Sequence, residues 1–194
     1  MADENLLLSR IESLLNKIYI TRKARIKSEA RLERFDFLTQ LLINYYTLVI
    51  VGLSIWILYD TRNAQLISVV TVIASVLLFG LSIFVTSRNF KGRSLNFKNC
   101  YIKLDEIYNQ GELLKGTPGG LTQKSIAELQ KEYNEVIYSV ENHSTIDYIS
   151  VLHDMKKTSH SQYLYLLLKK FIFILVVCLI VFFPIVLVYF VTRT

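Results

Sequence analysis

The chain has 194 residues, a formal charge of +6 at neutral pH and 52% hydrophobic residues. Those apolar residues lie in long unbroken runs rather than periodic stripes, which excludes an ordinary soluble globular domain. Two cysteines, Cys100 and Cys178, match no disulfide or zinc spacing, as expected for a reducing compartment.

The N-terminal segment repeats Leu7, Ile11, Leu14, Leu15 and Ile18 at helical spacing, so it reads as an amphipathic helix. Arg22, Lys23, Arg25, Lys27, Arg31 and Arg34 follow within thirteen residues, interrupted by Glu29 and Glu33. Two readings of this run stand side by side: an interfacial helix drawn to anionic lipid, or the solvated face of a long helix leading into the first membrane span. The acidic residues favour the second. With Asp3 and Glu4 at the start and the first apolar run so late, no cleaved signal peptide is expected.

Three runs can cross a bilayer. Leu41 to Tyr59, Leu66 to Val85 and Phe171 to Thr192 each hold about the 20 apolar residues that a helix needs to cross the hydrocarbon layer. Backbone amides find no water there, and strict alternation is absent, so the spans are helical. Six residues, Asp60 to Gln65, join the first two spans, which predicts a tight antiparallel hairpin. Eight Lys or Arg precede the first span and twelve lie between Thr86 and Lys170, whereas the hairpin tip holds only Arg62 and the tail only Arg193. The positive-inside rule then places the N-terminus and central segment in the cytosol and the C-terminus outside.

Between the second and third spans, Phe97, Cys100, Tyr101, Leu104, Ile107 and Tyr108 share a helical face that runs towards Gly111 to Gly116. The run Gly116-Thr117-Pro118-Gly119-Gly120 reads as a turn, and it lacks the Lys-Ser/Thr pair of a phosphate loop. A second helix is expected behind a Ser125–Glu128 capping box, with Ile126, Leu129, Tyr133, Val136, Ile137 and Val140 as its stripe. Asn142 to Thr145 breaks it, and Thr145 is the expected cap of a third helix through Ile146, Tyr148, Ile149 and Leu152. The expected organisation is all-α: 1–40 a cytosolic basic helix, 41–87 a transmembrane hairpin, 88–170 a cytosolic helical domain and 171–194 a third transmembrane helix.

No catalytic constellation is legible. His143, His153 and His160 lie within eighteen residues of one another, close to Asp147 and Asp154. No two of the histidines have the i, i+4 spacing that aims paired imidazoles at one metal. Nucleophile elbows and dinucleotide fingerprints are missing too, so neither an enzyme nor a resident cofactor or metal is expected. No span contains a charged residue or a histidine, which argues against a proton pump, a voltage sensor or a small transporter. Asn44, Thr47 and Ser54 share one face of the first span, and Ser68, Thr71, Ser75 and Ser82 follow the same rhythm in the second. Such residues let helices approach closely and hydrogen-bond across the contact, or they line a watery path in an oligomer.

The order of parts resembles a known family. A basic helix leads into a membrane hairpin and then a helix with Phe97-Lys98-Asn99-Cys100. Glu132-Tyr133-Asn134-Glu135-Val136-Ile137, Glu141-Asn142-His143-Ser144 and Asp147-Tyr148 follow. Over roughly Leu6 to Lys157 this is similar to the SLATT domain family, the "SMODS and SLOG-associating two-transmembrane effectors" of prokaryotes, with the fifth subfamily as the suggested match. The resemblance implies a homo-oligomeric effector of anti-phage or other conflict systems in the bacterial inner membrane. It also implies a nearby nucleotide-signal synthetase, sensor protein or reverse transcriptase. On activation such a protein is expected to open a pore or disrupt the membrane. The trigger surface is expected around Glu132, Tyr133, Asn142 and His143, and no residue pattern forms a nucleotide pocket. A passive membrane-anchored scaffold that recruits a cytosolic partner explains the same anchors and helical domain. The third span, Phe171 to Thr192, lies beyond the two-span core, and an accessory anchor, an inhibitory plug or a part of the assembly are its open roles.

Overall fold

The computed structural model describes residues 2–59 and 64–193. It holds six helices: α1 (Ala2–Ile57), α2 (Ala64–Ser87), α3 (Phe90–Gly116), α4 (Gln123–Tyr138), α5 (Thr145–Asp154) and α6 (His160–Arg193), with no strand among the described residues. Of the residues expected at the hairpin tip, Asp60 to Gln65, Ala64 and Gln65 open α2, and those from 60 to 63, with Arg62, lie outside the described residues. Three of the helices contain stretches long and apolar enough to cross a membrane, which makes this an integral membrane protein.

Contacts divide the chain into two compact units, one of Met1–Glu33 and Lys91–Tyr163, the other of Arg34–Phe90 and Leu164–Thr194. The core of the first unit is a helix-on-helix contact. Ile11, Leu14, Leu15 and Ile18 of α1 meet Cys100, Leu104 and Ile107 of α3 and Leu129 and Tyr133 of α4, all nearly sealed from solvent. These are the stripes expected from 3.6-residue periodicity. Gly111 is buried where α3 passes α1. A Cβ there would stand 2.6 Å from Leu15 Cδ2 and 3.0 Å from Leu129 Cδ2, so the close approach depends on a residue without a side chain. The turn after α3 uses Gly119 at φ +73, a conformation natural to glycine.

Two caps differ from expectation. The N-cap of α4 is Thr122, whose hydroxyl accepts from the Ser125 amide while the Ser125 hydroxyl accepts from the Thr122 amide. Ser125 is therefore the reciprocating partner of the box, not its first residue. The N-cap of α5 is Ser144 rather than Thr145, in a box closed by Asp147. In both cases the first residue of the box has extended backbone, which frees its side chain to reach the amide three residues on.

The second unit is mostly apolar surface. Leu48, Phe79, Phe84, Phe171 and Leu179 are each at least 60% exposed in a single copy, as lipid-facing side chains would be. Ile67 and Thr71 are its buried positions on α2.

Candidate functional site

α1 is the long helix leading into the first apolar run that the second reading expects, but much of its basic run is paired rather than merely solvated. Arg22 pairs with Asp105, Lys27 with Asp154 at 2.7 Å, and Arg31 with Asp147. Arg25 is 1% exposed, donates to the Glu141 carbonyl and lies over the Phe97 ring, 5.2 Å from its centroid. Arg22, Arg25, Lys27 and Arg31 thus tie α1 to the central segment, whereas Lys23 lies over Tyr19 of α1 itself and Arg34 is exposed.

Asp147 is the focus of that arrangement. Its Oδ2 accepts from Arg31 Nη2 (2.9 Å), from the Ser28 and Ser144 hydroxyls (each 2.7 Å) and from the Ser144 amide (3.1 Å), while Oδ1 accepts from Arg31 Nε at 3.0 Å. Burial alone would push this carboxyl up. The hydrogen bonds from Arg31, Ser144 and Ser28 outweigh it and hold the group below its ordinary value. Nearby, burial and then the Arg25 charge hold His143 below the usual histidine value against the opposing pull of Asp147. Its Nδ1 is buried without a hydrogen-bond partner, as is Arg25 Nε. His143 packs against Tyr148 and His153 against Tyr163 with tilted rings, their centroids 6.0 Å and 5.3 Å apart.

Of the expected trigger surface, Glu132 and Asn142 are exposed and His143 is half-buried. Tyr133 is not a surface residue. It is 2% exposed, belongs to the α1–α3–α4 core and shares a hydrogen bond of 3.0 Å with Thr21. Its ring completes the apolar stripe of α4, and that role outweighs its place in a polar sequence motif. Cys100 is likewise core, and burial pushes its thiol up, away from reactivity. An open groove of about 490 Å³ lies between α1 and α4, with Leu7, Leu14 and Ile126 lining it beside Arg10, Lys17 and Gln130.

In the second unit, Thr47 of α1 and Ser75 and Ser82 of α2 line one open, shallow cavity of about 290 Å³ together with Ile43, Val51 and Phe79. Thr71 is buried at 6%, while Asn44, Ser54 and Ser68 are exposed and do not line that cavity. The hydroxyls donate within their own helices: Thr47 to Ile43, Ser54 to Ile50, Thr71 to Ile67, Ser75 to Thr71 and Ser82 to Phe79, at 2.7–2.9 Å. What they offer a neighbour is small size and oxygen lone pairs.

Two bonds between helices in this unit come from residues that the sequence did not single out. Tyr46 Oη donates to the Ile180 carbonyl at 2.7 Å, and Tyr45 Oη to the Val181 carbonyl at 3.0 Å. Farther along, Phe35 packs on Phe173 with ring centroids 5.8 Å apart. The one available signal was Pro184, inside the third apolar run.

Residues 7–190 match the family model described as "SMODS and SLOG-associating 2TM effector domain family 5". The chain belongs to the SLATT family. The match runs past Lys157 through almost all of α6, so the third span lies inside the SLATT region rather than beyond it. No curated protein and no solved structure matches this SLATT chain.

Proposed function

We propose that this SLATT protein is a homo-oligomeric membrane effector of a prokaryotic anti-phage or conflict system, which opens a pore or disrupts the inner membrane once its helical first unit is engaged. The family match over 7–190, in a chain with three apolar helices, is the observation that supports this most directly. The charge bias supports a cytosolic N-terminus and first unit with the end of α6 outside, and the short connection between the first two apolar runs supports an antiparallel hairpin of α1 and α2. The cavity where Thr47, Ser75 and Ser82 lie among larger apolar side chains is the surface that we assign to assembly between copies, because small hydroxyl residues at helical spacing favour helix contacts in a bilayer. A trigger acts only through a difference in its affinity for the closed and open arrangements. A partner protein encoded nearby supplies it in this reading, and no catalytic step is involved.

A passive scaffold would share the anchors, and the hydroxyls' donation within their own helices is the observation that favours it, since a watery path gains little from them. Ser75→Leu separates the two readings. It fills the cavity at the assembly surface, so an effector loses its ability to depolarise cells at unchanged expression and insertion. A scaffold is indifferent.

A further inference from the structure

Pro184 sits inside α6 and is buried. Proline has no amide hydrogen, so the carbonyl four residues earlier, that of Ile180, loses its helical donor, and the ring pushes against that carbonyl. In hydrocarbon no water can take the donor's place, and an unsatisfied carbonyl there costs several kcal/mol. The Tyr46 hydroxyl donates to this same carbonyl at 2.7 Å. Its neighbour Tyr45 donates to Val181, the next carbonyl along, at 3.0 Å, and the two rings meet edge to face at 5.6 Å. Residue 185, four after Val181, is not a proline and carries an amide, so of the two phenols it is Tyr46 that meets the carbonyl whose helical donor the proline removes.

We infer that Tyr46 and Pro184 form a clasp that holds the third span on the first, and that this clasp restrains the effector in its closed state. Proline creates a carbonyl that must find a donor within the bilayer, and the first span brings a phenol to it. Undocking α6 strands that carbonyl, so the docked state is favoured until another donor, such as one on a second copy, replaces Tyr46. While docked, α6 covers the Tyr45–Tyr46 face of α1 and denies it to a neighbour. The restraint rests on the effector reading; the clasp itself does not.

The test uses the full chain in membranes, with Cys178→Ser to remove the exposed thiol, and Phe35→Cys with Phe173→Cys as a reporter of docking through a short thiol crosslinker. Tyr46→Phe removes only the hydroxyl and should shift the docked-to-undocked ratio by about 3- to 20-fold, the range of hydrogen bonds between membrane helices. Pro184→Ala returns an amide to Ile180, so in that background Tyr46→Phe should shift the ratio less than about twofold. Tyr45→Phe should have the smaller effect of the two phenols. In cells, Tyr46→Phe should raise depolarisation in the absence of a trigger, and adding Pro184→Ala should return it to the wild-type level. Unchanged crosslinking in Tyr46→Phe overturns the clasp. Reduced crosslinking without raised depolarisation overturns the restraint and leaves α6 a clasped anchor. A wild-type chain that never depolarises cells under phage challenge with its neighbouring genes overturns the effector reading, whatever the crosslinks show.

Discussion

Replacing Asp147 with alanine removes the acceptor of five hydrogen bonds at once. The Asp147 side chain is 3% exposed, and Ser28 is fully buried, so the Ser28 hydroxyl cannot recover a water partner in place. Breaking a buried ion pair by removing one partner costs about 3–5 kcal/mol. Arg31 is 26% exposed and can turn partly to solvent, which discounts the loss to about 2–4 kcal/mol. Hydrogen exchange of the full chain in detergent measures this locally. Amides of α5 and of α1 around Ser28 should lose protection by that amount, while those of α2 keep theirs. Ser28→Ala, which deletes one of the five bonds and leaves the pair intact, should cost only about 1 kcal/mol. A loss below about 1 kcal/mol for Asp147→Ala would refute the idea that this carboxylate fastens α5 to α1. The pH dependence has a fixed sign: a depressed carboxyl contributes fully above its unfolded value of about 3.9 and loses that contribution as pH falls through its lower folded value.

Three further predictions concern the same unit. His143 is held below the usual histidine value, so stability falls as pH drops from about 6.5 towards its folded value; His143→Gln should flatten a urea titration of the first unit over that window. Arg25 is buried without a carboxylate partner, so Arg25→Met, which keeps volume and removes the charge, should lower stability by no more than about 1 kcal/mol and can raise it. Gly111→Ala places a methyl against Leu15 and Leu129 and should cost about 1–2 kcal/mol, read from the unfolding midpoint, and that increment should shrink when measured in a Leu15→Ala background.

The spans and the core stripes were legible because each is written in one continuous stretch: unbroken apolar runs for the membrane, and Ile11, Leu14, Leu15 and Ile18 for the α1 face. The caps were misplaced by a residue or by one box, because Thr122 with Ser125 closes through a hydroxyl and shows no acidic residue to the eye. The fate of the basic run was hidden for a different reason. Arg22 and Arg31 find Asp105 and Asp147, 83 and 116 residues away, and nothing local in α1 announces those partners. Tyr133 carries the same ambiguity: its hydroxyl suits a surface and its ring suits a core, and only the packing of α1 against α4 decides. The Tyr46–Ile180 bond joins two apolar runs in which neither residue stands out, and Pro184 marks the place only to a reader who counts back four residues.

Membrane potential in a bacterial host that expresses the chain with its neighbouring genes and meets phage tests the central claim most directly. Depolarisation ahead of growth arrest, lost in Ser75→Leu at equal membrane abundance, is the predicted result. A potential that stays normal in the wild type through phage challenge would contradict the effector account and leave the scaffold.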